Sequence, residues 1–454
     1  MVASLAARYF RVGTPASDRA PPPAERDETT PSSPLRRGLW LFQSQLLILV
    51  AATVTNVLSA RMLQPSGRGT LAVALQVSYI GVAIVLAGVD RSYPVTAPIS
   101  NLSAALPAVL RMLLWPAAGL FAVSIAAVLT LRSHHPGVTS YASVIALTTV
   151  ALVGVTAVRV AAIASPEVVS FVKVTAGSQA ILILLAVSLT VLRVHDPRWW
   201  LAAYGPAGLV PVAVLGRALR RRSPGNPLEP AVMRSVRVLG VRLLPACLGQ
   251  IILLRADRLL LPMLSGAEAL GIYVVVSTFT ELLVWPVQNY VDGAMPVWRR
   301  LHNQGLLQTI RVGFVIGAYV GISAGILVWL GGRLLVPAFG TRYAPSRELL
   351  FPLSMGSAAY AMSRYYAGLA LARGRARQLR IAEMVSVCVA LSAYLLLIPS
   401  AGARGAAQAT LIGYTTSLVL MLGAALTTPE WRRGHRAHDP RPEPTVPLAR
   451  RGGA

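Results

Sequence analysis

The chain has 454 residues, 55% hydrophobic and 13% charged, with a mean hydropathy of +0.60; soluble chains carry roughly 25% charged residues, so a water-facing surface of this size is excluded. The formal charge of +25 is almost wholly arginine, Lys173 being the only lysine. In a polytopic chain such an excess gathers in cytoplasmic loops against anionic lipid, and with no recognition module in the sequence, nucleic acid is not an expected partner.

Residues 1–38 are rich in Pro, Ser, Thr and charge, with Pro21-Pro22-Pro23 and Arg36-Arg37, and predict a disordered cytoplasmic tail. The first apolar block starts too far in and is too long for a secretory h-region. Blocks of about 20 apolar residues, the length that crosses ~30 Å of hydrocarbon as helix, then follow at Leu39–Ala60, Gly69–Val89, Leu106–Leu131, Tyr141–Ala164, Val168–Leu192 and Trp199–Leu215. They predict an N-terminal six-helix bundle over 39–216. A basic connector, 217–235, carries Arg220-Arg221-Arg222 and the turn formers Pro224, Gly225, Asn226 and Pro227. Six more blocks, at Val236–Leu264, Ala267–Val291, Ile310–Leu330, Leu349–Ala372, Leu379–Ile398 and Gly405–Leu426, predict a C-terminal bundle over 236–426, and 427–454 a second tail. The expected fold is thus an all-α polytopic membrane protein of about twelve helices in two six-helix bundles.

Counted loop by loop, seventeen arginines fall on the side of the tails and nine on the other. This bias places both tails and the connector in the cytoplasm. The preference for Arg over Lys, with abundant Ala, Val, Gly and Leu, fits a GC-rich bacterial genome and hence a bacterial cytoplasmic membrane. Cys247 and Cys388 lie in distant apolar blocks, which excludes a disulfide framework or zinc site and predicts two buried thiols.

An internal repeat links the halves. With a gap of two residues, Met62-Leu63 aligns with Met263-Leu264, Ser66-Gly67 with Ser265-Gly266, and Leu71 with Leu270. Each string follows the first span of its half. Duplicated parallel bundles place a substrate between them near the bilayer midplane, a design common in transporters.

Ionisable groups inside spans cost about 2.5–3.5 kcal/mol on insertion scales unless they face a wet cavity or a partner. The densest cluster is Arg255-Ala256-Asp257-Arg258. Arg255 and Arg258 share a helix face, Asp257 is expected to neutralise one of them, and two guanidinium forks on one face suit a pyrophosphate. The alternative is that they snorkel to the outer interface. Glu281, deep in the eighth block, is a candidate for proton or cation coupling or for an ion pair with an arginine of a neighbouring helix. Arg364 with Tyr365 and Tyr366 offers a cation beside aromatic rings that suit a sugar, with interhelical packing as the alternative. Asp90, Arg91 and Asp292 lie near span ends and suit gating pairs or anchors, and Glu383 belongs with them. Nothing pairs a nucleophile with a base, so no catalytic residue, metal or cofactor is expected.

The string Arg255-Ala256-Asp257-Arg258-Leu259-Leu260-Leu261 with Ala269-Leu270-Gly271-Ile272-Tyr273 resembles a segment of polysaccharide-biosynthesis exporters of the MOP superfamily. Leu397-Ile398-Pro399 with Gly405-Ala406-Ala407-Gln408-Ala409-Thr410 is similar to a second, and Gly67-Arg68-Gly69 with Leu71-Ala72 to a third. The resemblance implies alternating access between two bundles and, for the Wzx-type branch, a polyprenyl-pyrophosphate-linked oligosaccharide as cargo. Expected partners are this lipid-linked glycan, anionic membrane lipid, and polysaccharide polymerase or glycosyltransferase machinery. The rivals are a drug or cation antiporter of the same superfamily, a non-transporting scaffold and a membrane glycan ligase.

The charge bias makes a prediction about topology. A cysteine placed at Ser223, in the connector, is expected to resist membrane-impermeant thiol reagents in intact cells and to react once the membrane is opened.

Overall fold

The computed structural model describes residues 34–97, 101–131, 136–165, 167–221, 229–300 and 306–426. Its elements in chain order are α1 (Pro34–Leu86), α2 (Val89–Thr96), α3 (Leu102–Leu131), α4 (Pro136–Ile163), α5 (Val168–Val191), α6 (Pro197–Ala202), α7 (Tyr204–Arg220), α8 (Pro230–Thr280), a 3₁₀ turn (Glu281–Leu283), α9 (Val284–Arg300), α10 (Leu306–Phe339), a second 3₁₀ turn (Thr341–Ser346), α11 (Arg347–Ala372) and α12 (Ala376–Leu426). No strand occurs among the described residues. Helix α1 begins inside the tail expected over 1–38, and α7 and α8 extend into both ends of the connector. Residues 1–33, 222–228 and the tail 427–454 lie outside the described residues.

Among the described residues, eight helices are long and apolar enough to cross a bilayer, against twelve blocks read from sequence. The difference arises chiefly because three spans hold two blocks each, over 44 residues in α1, 50 in α12 and 41 from α8 through the 3₁₀ turn into α9. At 1.5 Å per residue, straight helices of that length would reach about 60–75 Å, twice the hydrocarbon thickness. None is straight. Each has one interior residue outside helical geometry: Gln64 (φ 59°, ψ 177°) in α1, Gly266 (φ 85°, ψ 166°) in α8 and Gly402 (φ 53°, ψ −128°) in α12.

Hydrogen bonds across each break show that the chain doubles back. Arg68 Nη2 donates to Asn56 Oδ1 at 2.8 Å, Tyr273 Oη donates to Asp257 Oδ2 at 2.6 Å, and Tyr394 Oη lies 3.0 Å from Thr410 Oγ1. Partners twelve to sixteen residues apart would stand about 18–24 Å apart on a continuous helix. The three helices are therefore hairpins, with arms α1a (34–63) and α1b (65–86), α8a (230–265) and α8b (267–280), and α12a (376–401) and α12b (403–426). At the first tip, Pro65 has no N–H and its ring disfavours helical geometry at Gln64, so a non-glycine residue accepts positive φ there. Gly266 meets the same requirement without a Cβ.

The α1 and α8 hairpins pack against each other, α4 and α5 flank α1, and α12 flanks α8. At the tips the contact is reciprocal. A Cβ on Gly69 would collide with the carbonyl oxygen of Ala267, and one on Gly271 with the carbonyl oxygen of Pro65. Gln64 and Gly266, Pro65 and Ala267, and Gly69 and Gly271 are each 202 residues apart, as a twofold relation between hairpins requires. This corrects the repeat alignment: Gly266 matches Gln64, not Gly67. Residue identity misled the alignment because proline-imposed reversal in one hairpin does the work of glycine in the other.

Further bonds tie the same end. Arg61 donates to the carbonyls of Ala338 (2.6 Å) and Pro337 (2.7 Å), Arg342 donates to Gln64 Oε1, and Tyr343 Oη donates to the Ala60 carbonyl (3.1 Å). At the far end the junction of α1 and α2 meets α8, where the Gly240 carbonyl abuts Gly88. There Val236 of α8a joins an apolar core with Val85, Val109 and Ala157 of α1, α3 and α4. A second core joins Leu261, Tyr273, Leu353 and Ile398 of α8, α11 and α12.

Cys388 departs from expectation: it is exposed on α12. Its surface includes Met384 and Leu396, which are exposed as well, as suits helices apolar on every side and faced by lipid. The side chain of Cys247 lies outside the described residues.

The tip contact predicts a size limit. Gly69→Ala or Gly271→Ala is expected to lower stability by about 1–3 kcal/mol through overpacking. Gly325→Ala, which meets nothing within 4 Å, serves as the neutral control, with thermal unfolding in detergent as the measurement.

Candidate functional site

Between the two hairpins lies a cavity of about 210 Å³. One wall is α1 with Leu182 and Ala186 of α5, Trp200 of α6 and Tyr204 of α7; the other is α8, the first 3₁₀ turn and Trp285 of α9. The polar lining is Thr55, Asn56, Ser59, Arg68, Gln76 and Tyr79 on the first wall, and Arg255, Arg258, Thr278 and Glu281 on the second. Counted along their helices from the tips, Arg258 and Arg255 lie about 12 and 16 Å in, and Glu281 about 22 Å. Arg258 is buried and Arg255 part-buried, and both are paired with Glu281.

The two arginines do share a face. Arg255 Nη1 donates to both oxygens of Glu281 at 3.1 and 3.2 Å, and Arg258 Nη2 donates to Glu281 Oε1 and to Ser277 Oγ, the latter at 3.2 Å. Glu281 is thus the counter-charge of the pair, the ion-pair alternative open to it in the sequence. Asp257, expected to neutralise an arginine, instead points away from the cavity. Its Oδ1 accepts the backbone N–H of Arg258 (2.7 Å) and its Oδ2 the Tyr273 hydroxyl. The reason is helical geometry: Asp257 adjoins Arg258 in sequence, about 100° around the helix, so it faces α12 while Arg258 faces α1. There Tyr273 Oη lies 3.0 Å from Thr410 Oγ1, which also meets Tyr394 Oη, so a buried polar chain joins α8 to α12.

Arg68, which the sequence shows as a loop arginine within the Gly67-Arg68-Gly69 string and not as a site residue, is the third guanidinium of the cavity. It is 7% exposed, and its Nε and Nη2 both reach Asn56 Oδ1. Among the described residues no carboxylate lies within ion-pair distance of it. Burying a guanidinium on an amide alone is costly. Among the described residues, four buried nitrogens of the lining find no partner: Asn56 Nδ2, Arg68 Nη1, Gln76 Nε2 and Arg258 Nε. All are donors. The lining therefore holds three guanidinium groups, one carboxylate already shared by two of them, and a surplus of hydrogen-bond donors, an arrangement complementary to an anion rich in acceptors.

Arg364 and Tyr365 do not join this cavity. Arg364 on α11 lies 3.5 Å from Glu383 of α12 and 5.0 Å from the Tyr360 ring centre. Tyr365 is buried against Trp298 and Tyr366. The interhelical alternative describes both. Asp90 and Arg91 open α2, next to the far-end approach of Gly88 and Gly240. The side chain of Asp292 lies outside the described residues.

No protein-family model and no curated protein matches the chain. Among solved structures it is similar to lipid II flippase MurJ in an inward closed conformation, at 11% identity over 86% of this chain and 88% of that one, TM-score 0.58. It is also similar to a multidrug resistance MATE family transporter of the MOP superfamily. The outward-facing conformation matches at 12% identity over 90% and 96% of the two chains, TM-score 0.55. The inward-facing one matches at 13% identity over 85% and 94%, TM-score 0.53. At such identities the likeness is one of fold: the chain has the multi-pass helical architecture of MOP-superfamily transporters.

The buried chain behind the cavity makes a graded prediction. Tyr273→Phe leaves Asp257 Oδ2 without its donor and is expected to cost about 1–3 kcal/mol or more. Tyr394→Phe leaves Thr410 still facing Tyr273 and is expected to cost less, as thermal unfolding of the purified variants would show.

Proposed function

We propose that this chain is a transporter that moves a polyprenyl-pyrophosphate-linked oligosaccharide across the bacterial cytoplasmic membrane by alternating access. The observation that supports it most is the electrostatic character of the cavity: Arg68, Arg255 and Arg258 against one shared carboxylate, with four buried donors lacking partners. A drug or metal cation would require an excess of acceptors, whereas a pyrophosphate offers oxygens to guanidinium forks on both walls. The cavity is smaller than the ~300–1,000 Å³ of pockets that enclose drug-sized ligands. It therefore suits the phosphate head group, with the polyprenyl chain in the bilayer and the glycan outside the pocket. In this reading the N-terminal bundle carries Arg68, the C-terminal bundle carries Arg255 and Arg258, and the cargo bridges them. Polymerase or glycosyltransferase machinery would supply and consume the glycan.

Deletion of the gene is expected to accumulate lipid-linked glycan on the inner membrane face. An unchanged lipid pool with lost drug resistance would indicate the antiporter, and accumulation on the outer face a ligase. At matched membrane abundance, Arg255→Lys and Arg258→Lys keep the charge but lose the fork. Each is expected to reduce export about tenfold, since a hydrogen bond to a charged group is worth ~1.5–3 kcal/mol, and alanine at either position more.

A further inference from the structure

Glu281 holds the place on Arg255 and Arg258 that an oxyanion would take. Both of its oxygens accept from Arg255 Nη1 and one of them, Oε1, also accepts from Arg258 Nη2, so one carboxylate engages both guanidinium groups with charge-assisted bonds of the kind a phosphate oxygen would make. The carboxylate lines the cavity beside its arginines. Arg258 is not saturated by the contact, for its Nε has no partner among the described residues. Nor is Glu281 carried on a regular helix: it is the first residue of the 3₁₀ turn that joins α8 to α9. Short 3₁₀ stretches within helices mark joints, because their backbone hydrogen-bond register differs from that on either side.

We propose that Glu281 is a built-in competitor for the anionic head group: it occupies the arginine pair in the empty protein, is displaced when a pyrophosphate arrives, and on returning drives the pyrophosphate off. This deepens the proposed function and rests on its reading of the cavity as an anion site. Three lining cations face one lining anion at rest. A second anion entering with Glu281 still in place would meet like charge at contact distance, so the two exclude each other. Exchange of one carboxylate for one phosphate group leaves the arginines paired throughout and avoids the cost of an uncompensated buried guanidinium. Substrate gripped by three unopposed arginines would leave slowly, and a tethered rival at high effective concentration accelerates departure.

The expected signature is a split between binding and turnover. Purified full-length chain is titrated calorimetrically with inorganic pyrophosphate at fixed pH and salt. Glu281→Gln keeps the shape of the side chain and removes the charge, and is expected to bind pyrophosphate about tenfold tighter than the natural chain, a difference of ~1.4 kcal/mol, while exporting lipid-linked glycan more slowly. Equal or weaker binding by the variant would overturn the proposal and make Glu281 a support that holds the arginines. As a check that does not depend on the variant folding, infrared difference spectra of the natural chain on adding pyrophosphate are expected to show a perturbed carboxylate stretch. Binding without that change would also overturn it. If the natural chain and a folded variant both fail to bind pyrophosphate, the anion-site reading itself falls, an outcome distinct from binding that Glu281 does not influence.

Discussion

Two helical hairpins, α1 and α8, meet at their tips with each hairpin's glycine pressed on a carbonyl of the other, and everything between them follows from that contact. Because Gly69 and Gly271 admit backbone at the distance where side chains would otherwise stand, the inner arms run close at the tips. Farther in they enclose the cavity, and beyond it Gly88, where α1 passes into α2, meets Gly240 of α8. The reversals at Gln64 and Gly266 are equivalent in conformation though different in residue. One is imposed by the proline that follows and the other permitted by the absence of a Cβ. The hairpin is conserved in shape between the halves while the chemistry that makes it differs.

The cavity owes its sign to an imbalance across this near-symmetric frame. Asn56 and Arg258 are themselves 202 residues apart, so an amide on α1 stands where α8 carries a guanidinium. Each anchors the polar group opposite it on its own hairpin: Asn56 takes Arg68, and Arg258 takes Ser277 and Glu281. One wall therefore presents a guanidinium without a counter-charge among the described residues, the other two guanidiniums that share one carboxylate. A phosphate group bridging the walls would neutralise what neither hairpin neutralises alone.

Much of this was written in the sequence, and what was not has a physical cause. The spans were legible because apolar length is a local property, and the pairing of Arg255 with Arg258 because residues three apart share a helix face. Glu281 could be singled out as an intramembrane acid, but its partners could not, since they lie on the other arm of a hairpin and only the fold brings them together. Arg68 was hidden by its position, four residues past the tip in what reads as a loop. Facing was the hardest property to read. In lipid both the core side and the outer side of a helix are apolar, so composition does not tell them apart: Cys388 reads as buried yet is exposed, and for Arg364 and Tyr365 composition does not decide between a cavity and interhelical packing.

The hairpins also bear on how such a chain reaches its membrane. A carboxylate or guanidinium deep in an apolar segment is expensive to insert alone. Arg68 finds Asn56, Asp257 finds Tyr273, and Arg255 and Arg258 find Glu281, each within about twenty-six residues or fewer along the chain. If the two arms of α1, and those of α8 with its 3₁₀ turn, enter the bilayer together, every one of these groups arrives already holding its partner, before α12 has been synthesised. The functional charges of the cavity are thus arranged so that biogenesis meets them as neutralised or hydrogen-bonded pairs, leaving to later helices the task of walling them in.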